Sequence, residues 1–263
     1  MPEVATQTQP RALVTRPRGA ADGLAAALAR RGIGAIIAPL VEIHYREPMA
    51  LDLADVQAVL CTSANGVRAL ARVSRERRLP LLAVGEATAA RARAEGFLAV
   101  AAAAGDVDDL ARLAAARLRP QQGRLVHAAG SEVAGDLAGA LRRQGFDVAR
   151  EILYEARPIE ALNAAALQAL RAGSVDFALF FSPRTGAIFA RLAGAAAIAE
   201  CCGSIAALSI SAAADAELGS LPWCERRVAA RPTQAALLDA LDGLLAERRR
   251  KRAARPIDRN EAG

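Results

Sequence analysis

Hydroxyls and glycines recur in this chain wherever a short apolar run gives way to a helical pattern. The junctions read Thr15-Arg16-Pro17, Thr62-Ser63-Ala64-Asn65-Gly66, Gly85-Glu86-Ala87-Thr88, Gly130-Ser131, Ser182-Pro183-Arg184-Thr185-Gly186, Ser209-Ile210-Ser211 and Arg231-Pro232-Thr233. In open parallel sheets, ligands bind beyond the carboxyl ends of the strands, where loops enter helices. Unpaired backbone N–H groups and the positive helix end hold a carboxylate or phosphate there without needing Lys or Arg. The chemistry indicated is the gripping of a small anionic molecule. Each of these residue types is also an ordinary N-cap or turn residue. Their number, and their presence in both halves of the chain, is what points to binding.

Other chemistries find little support. No GxGxxG follows the first strand, and GxxxxGK[ST] occurs nowhere. His44 and His127 are isolated, which suits packing or supporting roles, and Cys61, Cys201, Cys202 and Cys224 lack CxxC spacing. Reduced thiols are expected, with no metal, nicotinamide or covalent nucleophile. The chain is 53% hydrophobic and only 3% aromatic, so its core must be aliphatic. Of the net charge of +6, residues 247–263 hold +4, from seven basic and three acidic residues. They include no aromatic, so a disordered basic tail is expected rather than a nucleic-acid surface. Met1 to Pro10 carry neither a basic start nor an apolar stretch, and residues 192–214 are interrupted by Glu200. Neither export nor a membrane span is expected.

The elements that would position these junctions alternate. Apolar runs at 12–15, 35–37, 58–61, 81–84, 124–127, 175–181, 205–209 and 226–229 are separated by Ala/Leu-rich stretches with helical spacing, such as Val107, Leu110, Leu113 and Leu118. Asp106 reads as the N-cap of that last helix. The alternation argues for parallel sheets covered on both faces.

Two stretches repeat. Leu24, Leu28, Arg30 and Gly32 recur as Leu137, Leu141, Arg143 and Gly145, each behind a strand, and residues 58–70 resemble residues 177–192. The opening unit thus matches the unit near residue 125, not the one near residue 60. This order predicts a split lobe, 1–40 with 158–246, interrupted by an inserted lobe, 46–150. Segments 39–45 and 151–158 would pair as a two-stranded antiparallel hinge.

Val14-Thr15-Arg16-Pro17, Thr62-Ser63-Ala64-Asn65-Gly66-Val67, Val84-Gly85-Glu86-Ala87-Thr88, Tyr154, Ser182-Pro183-Arg184-Thr185-Gly186 and Arg231-Pro232-Thr233-Gln234-Ala235-Ala236-Leu237-Leu238 lie in an order and spacing that resembles the uroporphyrinogen-III synthase family. The resemblance runs over residues 11–245. It implies an α/β fold of two flavodoxin-like parallel-sheet domains, one discontinuous, joined by the two-stranded hinge, with the active site in the cleft. It implies hydroxymethylbilane as substrate, a linear tetrapyrrole with carboxylates on every ring. The product is uroporphyrinogen III, formed with inversion of the last ring in haem biosynthesis, with no cofactor. The bilane loses its terminal hydroxyl to give an azafulvene; the last ring attacks through its substituted carbon, passes through a spiro intermediate and recloses turned over. Since the bilane closes unaided to the uninverted isomer, the protein mainly imposes a conformation.

On this resemblance Tyr154 is the candidate acid for the departing hydroxyl, with hinge packing as its alternative role. The substrate-binding candidates are Thr15, Arg16, Thr62, Ser63, Asn65, Gly66, Gly85, Thr88, Gly130, Ser182, Arg184, Thr185, Gly186 and Thr233. Related enzymes often carry a basic residue in the loop after the strand near His127. This chain has Ala128-Ala129-Gly130-Ser131-Glu132, with Arg16 or Arg184 available to compensate. The expected partner is the polycarboxylate tetrapyrrole alone, bound by a monomer in the cytoplasm without nucleic acid or membrane. The main rival is a non-catalytic two-lobed binding or sensor protein for an anionic metabolite; a paired-lobe nucleotide-sugar transferase would usually be longer.

Overall fold

The computed structural model describes residues 9–46, 51–132 and 135–253. The elements are β1 (Arg11–Val14), α1 (Arg18–Ala29), β2 (Gly34–Ile37), β3 (Val41–Tyr45), β4 (Val56–Cys61), α2 (Ala64–Val73), β5 (Leu81–Ala83), α3 (Glu86–Ala94), β6 (Val100–Ala102), α4 (Val107–Arg117), β7 (Arg124–Gly130) and α5 (Leu137–Arg142). They continue with β8 (Val148–Pro158), α6 (Ala164–Arg171), β9 (Phe177–Phe180), α7 (Pro183–Ala195), β10 (Ala206–Ser209), α8 (Ala212–Ala216), β11 (Glu225–Val228) and α9 (Gln234–Ala253). The chain divides into two units, Met1–Val41 with Pro158–Gly263, and Glu42–Arg157.

In the first unit β1 pairs in parallel with β2 and with β9, Ala12 standing opposite Phe177. Read from β2, this sheet runs β2-β1-β9-β10-β11, which is the flavodoxin order. The second unit's sheet, read from β8, runs β8-β7-β4-β5-β6, with β3 added outside β8. Matching β7 to β1, β8 to β2 and β4 to β9 makes the two plans coincide, with the chain order permuted. The pairs β1 with β7 and β4 with β9 lie in the segments that repeat in the sequence. The fold class is as expected: α/β, parallel, two domains, one of them discontinuous.

Alternate residues of each buried strand feed opposite faces. In β4, Val59 and Cys61 pack with Val67 and Leu70 of α2, while Ala58 and Leu60 pack with Leu110, Leu137 and Leu141 of α4 and α5. In the first unit Val14, Phe177, Leu179 and Leu208 meet Leu24 and Leu28 of α1 and Leu237, Leu241 and Leu244 of α9. The other face carries the main aromatic cluster, Phe180, Phe189 and Trp223, with ring centres 5.4 to 5.8 Å apart.

Residues 247–253, expected to belong to a disordered tail, are helical. Helix α9 continues through Ala253, because this stretch consists of good helix formers and is anchored. Glu247 lies 2.7 Å from Arg227, and the Arg248 guanidinium sits 4.9 Å from the centre of the Phe177 ring. Residues 254–263 lie outside those described.

Candidate functional site

The direction of chain progression reverses between β1 and β9 in one sheet and between β7 and β4 in the other. Ligands in such sheets bind in the crevice beyond the strand ends at this switch point. The loops there carry Thr15-Arg16 and Ser182 in the first unit, and Thr62-Ser63 and Gly130-Ser131 in the second.

The second unit brings five of the expected residues together. Ser63, the N-cap of α2, accepts from the Gly66 amide at 3.1 Å, and its Oγ lies 2.8 Å from the Tyr154 hydroxyl. Beside it, the Thr62 hydroxyl lies 3.2 Å from His127 Nε2. Adjacent hydroxyls at the end of β4 thus hold one ring from β7 and one from β8. Gly130 faces Tyr154 so closely that a Cβ there would stand 2.8 Å from the ring's Cζ, so only glycine admits the ring.

Electrostatics divides the two rings by role. Tyr154 is 8% exposed. Burial pushes its phenol above the usual 10, opposed by the Ser63 hydrogen bond, so it holds its proton at neutral pH. His127 is 2% exposed, and burial, reinforced by the charge of Arg150, pushes its imidazole down to about 4. It is therefore neutral near pH 7 and supports the Thr62 hydroxyl without adding charge.

The first unit's loops are built alike. Ser182 caps α7, accepting from the Thr185 amide at 3.2 Å, with the two hydroxyls 3.1 Å apart. Thr233 caps α9, accepting from the Ala236 amide at 3.2 Å. Arg16 donates to Gln234 at 2.8 Å and lies over the Phe181 ring, 4.5 Å from its centre. Arg184 is half-buried at the first turn of α7.

Several expected binding residues are instead engaged in the fold. Thr15 is fully buried and donates to the Leu179 carbonyl at 2.6 Å, fastening β1 to β9. Replacing Thr15 with Val should cost about 1–2 kcal/mol in chemical denaturation, because a buried carbonyl loses a partner, with activity nearly unchanged. A large loss of activity at full stability would return Thr15 to the binding surface. Gly66 and Gly186 are required by packing: a Cβ at Gly66 would stand 2.5 Å from the Ala128 carbonyl oxygen, and one at Gly186 would stand 3.0 Å from that of Ala214. Thr88 and Thr185 are 6% and 7% exposed. Asn65 accepts from Arg68 at 3.0 Å, and Gly85 is the N-cap of α3.

Arg150, on β8, belongs to none of the sequence motifs. Its Nη2 donates to the carbonyls of Gly130 at 2.9 Å and Ser131 at 2.8 Å. A cation is thus supplied to the 128–132 loop by the adjacent strand β8. Only the register of β7 on β8, which sets His127 opposite Arg150, could have revealed it. Among the described residues no cluster of His, Cys, Asp or Glu could hold a metal ion.

Comparison with known proteins follows the same direction. A family model described as uroporphyrinogen-III synthase HemD matches residues 22–239. The uroporphyrinogen-III synthetase of Helicobacter pylori shares 18% identity over 90% of this chain and 99% of its own, with a TM-score of 0.60. A mutant uroporphyrinogen III synthase of Thermus thermophilus, an extremely thermophilic bacterium, gives 18% identity, 90% and 99% coverage and a TM-score of 0.50. At this identity these two likenesses speak to the fold. No curated protein matches significantly.

Proposed function

The chain belongs to the uroporphyrinogen-III synthase family, and on that premise we propose that it closes hydroxymethylbilane to uroporphyrinogen III through the loops just described. The observation that carries the assignment of roles is the Tyr154–Ser63 contact of 2.8 Å at the switch point. In this reading Tyr154 donates its proton to the bilane's terminal hydroxyl. The C–O bond breaks, water leaves and the azafulvene forms. The last ring attacks through its substituted carbon, the spiro intermediate reopens, and reclosure places that ring inverted. The proton lost as the new ring system regains aromaticity returns to the Tyr154 phenolate. Atoms balance as substrate to product plus water, which makes the enzyme a lyase that needs no cofactor.

The remaining work is conformational. In this reading, first-turn amides of α2, α7 and α9 other than those taken by the caps Ser63, Ser182 and Thr233 receive carboxylates. Arg16, Thr62, Ser63, Ser182, Arg184 and Thr233 flank them, and Gly130 admits the acid's ring. Holding both ends of a flexible chain together replaces a search through many geometries. In this reading β3 and β8 form an antiparallel hinge between the units, and the enzyme acts as a monomer in the cytoplasm, without nucleic acid or membrane. None of the described helices is long and apolar enough to cross a membrane.

The test is incubation with enzymatically generated hydroxymethylbilane followed by isomer analysis. Predominant type III product is expected. Only the type I isomer, at the spontaneous rate, would overturn the proposal.

A further inference from the structure

Resting on the reaction proposed above, we infer that Arg150 is a positioning residue for Tyr154, acting through the Gly130–Ser131 turn. Strand β8 supplies both side chains, and the ladder between them is irregular. Ala129 stands opposite Ile152, yet Gly130 stands opposite Tyr154, so β8 carries one extra residue. Such a bulge bends a strand and re-aims a side chain. Here it brings the Tyr154 ring over Gly130 and its hydroxyl to Ser63.

The turn beneath the ring is held from β8 at three points. The Ser131 amide donates to the Tyr154 carbonyl at 2.9 Å, and Arg150 takes the carbonyls of Gly130 and Ser131. These last two are charge-assisted bonds from a planar, permanently charged group, which fix direction as well as distance. With the guanidinium removed, both carbonyls are free to turn toward water. Gly130 then shifts under a ring it already touches, and the hydroxyl leaves its place beside Ser63. A displacement of about 1 Å at a reacting group is enough to cost on the order of a hundredfold in rate.

The experiment compares Arg150→Met, which keeps the aliphatic stem, with Arg150→Lys, which keeps the charge. In Arg150→Met, kcat for type III product should fall about ten- to a hundredfold with KM within about twofold. Arg150→Lys should recover part of that loss. In a Tyr154→Phe background, Arg150→Met should add little, because both changes remove one function. His127 gives a readout independent of turnover. The chain has two histidines, and NMR titration of Arg150→Met should move the His127 pKa upward from about 4 as the neighbouring charge is lost.

A rise in KM with kcat unchanged would make Arg150 a direct grip on a substrate carboxylate and overturn the positioning role. Additive losses in the double variant, or wild-type rates in Arg150→Met, would overturn it as well. A wild-type chain that yields only the type I isomer overturns the reaction itself and this role with it. A type III-producing wild type with an unaffected Arg150→Met overturns this role alone.

Discussion

Replacing Tyr154 with Phe lowers the rate of type III product formation by about ten- to a thousandfold, the range expected for one positioned proton donor. The substitution keeps the ring over Gly130, so the packing of β7 on β8 is retained and circular dichroism should show a folded protein. Ser63 loses one partner but still caps α2 through the Gly66 amide. Activity and stability should therefore separate. The pH profile supplies a second check. Burial holds the phenol above its usual 10, so the acid form persists through neutral pH and loss of the donor begins only at higher pH. Complete inactivity of a folded Tyr154→Phe protein would make this proton indispensable and refute a mainly conformational mechanism. Unchanged activity would leave Tyr154 as a packing residue.

Gly66→Ala should have a large effect on stability, and for a different reason. Alanine is favoured over glycine inside a helix by up to about 1 kcal/mol. Against that, the new methyl would stand 2.5 Å from the Ala128 carbonyl oxygen, and neither helix backbone nor central strand can yield cheaply. Overpacking of this kind costs about 1–3 kcal/mol, occasionally more, so the clash wins. We expect a net loss of about 2 kcal/mol in chemical denaturation. Activity should fall with it, because pushing α2 off β7 also moves Ser63 away from Tyr154. A variant as stable as the parent would show that α2 is not fastened here. At Gly186 the nearest contacts are 3.0 Å, so Gly186→Ala should be milder.

The sequence made the scaffold readable because short apolar runs are what a strand buried on both faces requires. The runs at 81–84 and 205–209 match β5 (Leu81–Ala83) and β10 (Ala206–Ser209), and Asp106 caps α4 as expected, accepting from the Asp109 amide at 2.7 Å. Strand β6 (Val100–Ala102) went unread, since one valine followed by two alanines makes no β-branched run. The repeat revealed the permutation because like strands hold like places in their sheets. The site was harder to read. Ser63 and Tyr154 are 91 residues apart, and in a parallel sheet no turn fixes their register. The extra residue that aims Tyr154 at Ser63 changes the strand's face without leaving a mark in composition. Thr15 and Thr185 look like binding residues from their position at helix starts, but their burial is decided by neighbours far along the chain.

The insertion of one unit within the other also sets an order of events during synthesis. Strands β1 and β2 leave the ribosome first, yet β1 borders β9; the Arg11 amide donates to Asp176, 165 residues later. The Glu42–Arg157 unit contains all of β4 to β7 and most of β8, and can complete its sheet while the opening strands still wait. Domains generally fold as units during translation, so here the second to emerge is the first to finish. Its closure sets β3 beside β8, drawing the two chain crossings together. The host then closes a far shorter effective loop than its sequence separation implies, with a correspondingly smaller entropic cost. The inserted unit acts as a folding clamp for the one that surrounds it.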